Sequence, residues 1–140
     1  TAAQKDTIEV PGTGAIAAIG NWALNGTDST LEVTAGNAVG SHAINAGLIV
    51  FHTGDGAGAA ITVDSTAKVA AVSQYLITND IGAAGDTLVF VAGADSFLYS
   101  QIGAGAGTSG DGYTLIQLVG VQATGIETTA STNDNVVFFG

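Results

Sequence analysis

The stretch from Gly85 to Gly120, GDTLVFVAGADSFLYSQIGAGAGTSGDGYTLIQLVG, leaves a fold few options. Asp86-Thr-Leu-Val-Phe-Val-Ala92 is a run of β-branched and aromatic residues of the kind a buried strand carries. Gly93-Ala94-Asp95 closes it, and Ser96-Phe-Leu-Tyr-Ser-Gln-Ile102 answers across so short a turn that the two read as an antiparallel hairpin. A Gly/Ala/Ser loop over 103–112 leads into Tyr113-Thr-Leu-Ile-Gln-Leu-Val119. Here Tyr113, Leu115 and Gln117 share one face, and Thr114, Ile116 and Leu118 the other. Aliphatic residues on both faces predict a third strand covered on both sides.

The remaining chain keeps the same punctuation. Asp6-Thr-Ile-Glu-Val10 alternates and stops at Pro11-Gly12, which suits an edge strand or an exit from one. Residues 14–23 read as a weak strand of small residues, Asn25-Gly26 as a turn, and Ser29–Thr34 as a cleanly alternating strand. Over 38–52, Gly40 and Gly47 interrupt the pattern, and Gly47 marks a bulge or bend before the apolar Leu48-Ile-Val-Phe51. A glycine loop over 53–58 precedes a short strand at 59–63. The helix of the chain is 65–78, STAKVAAVSQYLIT, capped by Asp64 or Ser65, with Val69, Val72 and Leu76 at helical spacing and Ala70 and Tyr75 at the margin of the stripe. It should lie across a sheet. Val121–Glu127 reads as a short strand, and Asn135-Val-Val-Phe-Phe-Gly140 ends the chain in four apolar residues. Turn signals recur roughly every 8 to 12 residues, the rhythm of a β-sandwich or roll. The predicted fold is therefore mainly β: a sandwich or roll of short antiparallel strands with one helix (65–78) packed on a sheet, all in a single domain over 1–140.

Composition narrows the function classes. Only 10% of the residues are charged, 21 are glycine, and the net charge of −10 comes from twelve acids against two lysines. Those lysines are Lys5 and Lys68, and there is no arginine. Nucleic acid is excluded as a partner, because the chain lacks both the positive charge and the guanidinium forks that phosphates require. The same balance opposes anionic membrane surfaces, and no apolar run reaches the ~18 residues of a spanning helix. Without cysteine, stability must come from sheet packing, bound ions or assembly. The first residue is Thr1 rather than Met, as expected of a processed terminus or of an excised fragment.

The order GDTLVFV, short turn, FLYSQ, Gly/Asp loop, YTLIQLVGV, polar spacer and terminal NVVFFG resembles the C-terminal region of bacterial proteins exported by type I secretion, among them repeats-in-toxin and surface-layer proteins. The likeness covers about residues 65–140. It implies a secreted, extracellular or cell-surface protein with export information near its end. In that family Gly-Gly-x-Gly-x-Asp nonapeptides bind calcium, and this chain has no run of them.

Calcium is nonetheless the one cofactor the loops suggest. Asp55 and Asp111 each stand between glycines, and Asp86 and Asp95 are further loop acids that could supply carboxylate oxygens to a hard cation. Gly-Asp-Gly is also an ordinary turn. His42 and His52 have no acid at metal-ligand spacing and no cysteine to complete a zinc set. Tyr75 with one of these histidines is a conceivable haem pair, but no second feature of a haem pocket is legible. The glycines at 103–107 lack the lysine and helix start of a phosphate loop. No nucleophile has a recognisable base, so the expectation is that the chain is not an enzyme.

What the chain does offer is backbone and small apolar side chains. The leading expectation is a secreted, self-assembling structural protein, a filament or surface-layer subunit whose copies add strands to one another. Ile8 and Val10 at one end, and Val136, Val137, Phe138 and Phe139 at the other, are the candidate assembly residues. Two alternatives are the export and folding module of a larger adhesin or toxin, and a viral coat protein.

Overall fold

The computed structural model describes residues 7–9, 32–34, 37–45, 47–53, 58–78, 87–101, 112–127 and 135–138. In chain order the elements are β1 (Thr7–Glu9), β2 (Glu32–Thr34), β3 (Asn37–Asn45), β4 (Leu48–Thr53), α1 (Thr66–Thr78), β5 (Thr87–Ala92), β6 (Asp95–Gln101), β7 (Tyr113–Leu118), β8 (Ile126–Glu127) and β9 (Asn135–Phe138). The protein is mainly β with one helix. The strand expected at 14–23 and the Asn25-Gly26 turn lie outside the described residues.

A six-stranded sheet runs β2-β3-β4-β5-β6-β7, and a three-stranded one runs β1-β9-β8. β5, β6 and β7 form the predicted meander in unbroken antiparallel register, Val89↔Leu98 and Leu98↔Ile116 among the pairs. The expectation of antiparallel pairing throughout fails at β4 and β5, which are parallel. The chain leaves β4, passes through α1 and returns to the sheet, so β5 starts from the same end as β4. That junction is thin. Leu48↔Val89 is its single registered pair, held by the Val89 N–H donating to Gly47 C=O at 2.9 Å. Beyond it residues 59–63 bridge the two strands. Ala60 pairs with His52, Ile61 N–H donates to Phe51 C=O at 2.7 Å, and Gly93 N–H donates to Val63 C=O at 2.9 Å. The short strand expected at 59–63 is thus a wedge in a sheet rather than a ladder strand.

Both interrupting glycines have a local reason. The β3–β4 register shifts between Val39 and Ser41, so Gly40 is the extra residue of a bulge. Gly47 turns the β3–β4 hairpin at φ +74, and a Cβ there would stand 2.9 Å from Ile126 Cβ. Glycine is required for the left-handed backbone and again for the close approach of β8.

Helix α1 begins where the capping signal lies: Lys68 N–H reaches Ser65 Oγ at 3.4 Å, and Lys68 Nζ pairs with Asp64 at 2.7 Å one turn away. Val72, Tyr75 and Leu76 are buried, with Val69 partly so. Ala70, placed at the margin of the stripe, is exposed, whereas Tyr75 is at its centre. The helix covers one face of the large sheet, packing on Ile44, Ile49, Phe51, Leu88, Phe90 and Tyr99. On the opposite face Val89 and Leu98 pack with Ala123 and Ile126. β5 is consequently the strand covered on both sides, buried at four successive positions from Thr87 to Phe90. β7 is an edge. Leu115 touches the helix-side core and Ile116 the other, but Tyr113 and Gln117 are exposed, which corrects the expectation of a fully covered strand. Among the described residues no helix is long and apolar enough to cross a membrane.

Candidate functional site

The two ends of the chain meet. β1 and β9 pair antiparallel with Thr7↔Val137, Ile8↔Val136 and Glu9↔Asn135, and β9 continues onto β8 through Ile126↔Phe138 and Glu127↔Val137. Thr7-Ile-Glu9 alternates and Val136-Val-Phe138 is a β-branched and aromatic run, which suits both segments to strands, and β9 takes β1 on one side and the sequence-near β8 on the other. Of the six candidate assembly residues, Ile8, Val136, Val137 and Phe138 fall in these strands, while Val10 and Phe139 lie outside the described residues. β8 ties this small sheet to the large one, since Ile126 is packed against Val89 and Leu98.

The segment leading to β8 is clamped by one hydroxyl. Ser96, fully buried on β6, donates to Val121 C=O at 2.7 Å and accepts from Ala123 N–H at 2.9 Å. Four residues further along β6, Thr87 Oγ1 donates to Ser100 Oγ at 3.3 Å across β5 and β6. Ser96 thus supplies partners to the main chain of the 121–123 segment, while Thr87 and Ser100 satisfy one another.

Among the described residues, His42, His52, Tyr75 and Asp95 are engaged in structural bonds. His42 on β3 and Tyr75 on α1 are 3% and 0% exposed, and Nδ1 of the ring lies 2.8 Å from the phenol oxygen. Burial pushes the imidazole below its usual range and the phenol up to about 12, so both are neutral near pH 7. Tyr75 continues a line of ring contacts, edge-on to His42 and Phe51, from Phe51 edge-on to Phe90, and from Phe90 stacked on Phe97. The pair considered for haem is therefore brought together, but the two polar atoms face one another inside a filled core. His52 donates from Nδ1 to Gly58 C=O at 2.9 Å, which places its proton there and leaves Nε2 buried without a partner.

Of the candidate calcium ligands, Asp55, Asp86 and Asp111 lie outside the described residues. Asp95 Oδ1 accepts from Gly120 N–H and Oδ2 from Gln117 Nε2, each at 2.7 Å. The Gly120 amide, then the Gln117 amide, hold this carboxyl below its usual range. Asp95 thus staples the β5–β6 turn to the end of β7. It also borders a recess of about 320 Å³ at the start of α1, shared with Asp64, Ser65, Phe97 and Gln117. Both carboxylates there already have partners. Among the described residues no three His, Cys, Asp or Glu side chains gather as a metal site would require.

No family model, curated protein or solved structure matches this chain. The resemblance to type I exported proteins rests on the residues quoted for it. Sequence reasoning missed the Ser96 clamp and the Asp95 staple. A serine or aspartate at a strand end is common, and its partners lie 22 to 27 residues away.

Proposed function

We propose that this protein is a secreted structural subunit of a bacterial surface or extracellular matrix that assembles with copies of itself by exchanging terminal strands. The observation that carries the reading is the pairing of β1 with β9. These strands come from opposite ends of the chain, and their bonds are indifferent to whether both belong to one molecule. Placing β1 of one copy on β9 of the next reproduces the same register, so exchange costs little beyond the advantage of having both strands on one chain. A reciprocal exchange closes into a dimer, and an open one continues as a filament.

Two features support a role without catalysis. His42, Tyr75, Ser96 and Asp95 are committed to bonds within the fold, and the charge of −10 carries no arginine with which to hold an anionic substrate. Type I export follows from the resemblance over 65–140, and calcium at the loop acids remains part of the proposal.

Electron microscopy and sedimentation of the purified chain, with and without calcium, test the reading. Assemblies larger than a dimer are expected at high concentration, together with their loss on deletion of residues 1–9. A chain that stays monomeric under both conditions overturns it. The intramolecular closure of β1 on β9 also suits a self-contained export and folding module of a larger adhesin or toxin. That alternative gains if 65–140 carries a passenger out through a type I system while the deletion changes nothing in assembly.

A further inference from the structure

Among the described residues the large sheet ends on two unlike edges. β2 is three residues long, carries Glu32 and joins β3 in an irregular register. A short, irregular, acid-bearing strand is a poor template for another chain. β7 is six residues long, in unbroken register with β6, and has no charged residue or proline from Tyr113 to Leu118. Tyr113 is 47% exposed and Val119, just past the strand, 77% exposed.

The direction of the free backbone groups follows from register. Val89 bonds toward β4, and alternate residues of a strand turn their N–H and C=O to opposite sides. Leu88, Phe90 and Ala92 therefore bond β6 through Tyr99, Phe97 and Asp95, and Ser96, Leu98 and Ser100 bond β7 through Leu118, Ile116 and Thr114. That leaves the main-chain groups of Tyr113, Leu115 and Gln117 pointing outward from the sheet.

We infer that β7 is a docking edge for β7 of a second copy, the two running antiparallel about a two-fold axis at Leu115. In that register Leu115 faces itself, and each Tyr113 faces the other copy's Gln117. All three outward residues enter hydrogen-bonded pairs, and Thr114 opposes Ile116 on the far face. Charge selects the occupant. Two molecules at −10 each meet here along a stretch without carboxylates, whereas docking β7 on β2 would bring in Glu32. The two large sheets become one. This builds on the self-association proposed above and adds a contact independent of the termini. The symmetric contact alone stops at two copies, and combined with open terminal exchange it links pairs into a longer assembly.

The chain has no cysteine of its own, so single substitutions read the register directly. Opposed residues of a hydrogen-bonded pair stand with Cα atoms about 5.5 Å apart, within the span of a disulfide. Under mild oxidation Leu115→Cys is expected to give a covalent dimer about tenfold in excess of Thr114→Cys, Ile116→Cys or Gln117→Cys alone. Mixing Thr114→Cys with Ile116→Cys should restore cross-linking. Leu115→Pro deletes an outward N–H and no internal ladder bond, so a monomer with the wild-type circular dichroism spectrum is expected. If that variant fails to fold, the cysteine series still decides. No cross-link at 115, or equal cross-linking at all four positions, overturns the inference. Deleting residues 1–9 should leave the Leu115→Cys dimer intact. Cross-linking without larger assemblies therefore counts against terminal exchange only, and filaments without cross-linking count against the β7 contact only.

Discussion

Replacing Tyr75 with phenylalanine removes a single oxygen from a fully buried ring and leaves its edge-on contact with Phe51, at 5.9 Å, in place. The loss falls on His42, whose Nδ1 is left without the phenol 2.8 Å away. Stranding one buried polar atom costs about 1–3 kcal/mol. With an unfolding entropy of about 2.1 cal/mol/K per residue, that lowers the melting temperature of a chain this size by roughly 3–10 °C. Urea denaturation should show the midpoint falling with an unchanged slope, since the same surface is exposed on unfolding. The pH dependence has a defined sign. His42 titrates lower in the folded protein than its ordinary 6.5, so its contribution is complete above that value and is lost as pH falls below it. Tyr75 titrates near 12 against an ordinary 10, so its contribution is complete below pH 10 and is lost as pH rises toward 12. Tyr75→Phe should keep the acid-side loss and reduce the alkaline one. A variant that melts with the wild type at pH 7, or an alkaline loss that persists undiminished, refutes this account of the pair.

Gly47→Ala puts a methyl group 2.9 Å from Ile126 Cβ on a left-handed backbone, and should cost about 2 kcal/mol or more by urea denaturation. Ser96→Ala frees Val121 C=O and Ala123 N–H, and a loss of about 1–3 kcal/mol is expected, with exchange of the Ala123 amide rising ahead of the β5 and β6 amides. Ser73→Ala should go the other way: its hydroxyl is buried in α1 without a partner, so a gain of about 1 kcal/mol is expected in thermal melts. The Asp95 carboxyl, followed by NMR, should titrate below its ordinary 3.8, its contribution being present above that value and lost as pH falls through the lowered one. Gln117→Ala should move the midpoint part of the way back, because the Gly120 amide remains.

The residues that spoke plainly in the sequence are those whose neighbours in the chain are also their neighbours in space. Gly93-Ala94 forces the β5–β6 hairpin, the Ser65 cap starts α1 on time, and Val72 and Leu76 point inward at helical spacing. Tyr75 was legible only as a marginal member of that stripe. Its partner His42 is 33 residues away on β3, and no local pattern announces a hydrogen bond across that gap. Reading β7 as covered on both sides failed for the same kind of reason. Leu115 and Ile116 do reach the two cores, but whether a strand with apolar residues on both faces lies in the middle of a sheet or at its rim depends on strand order.

Alternation of apolar residues, turn chemistry and helix capping act over a few residues, and they were enough to make this chain mainly β with one helix. The parallel step from β4 to β5, the wedge at 59–63, the closing of β1 on β9 and the outward main chain of β7 belong to the tertiary structure. Each depends on which distant segments win the competition to cover a given face, and that competition is settled by packing and main-chain pairing between residues the sequence keeps far apart.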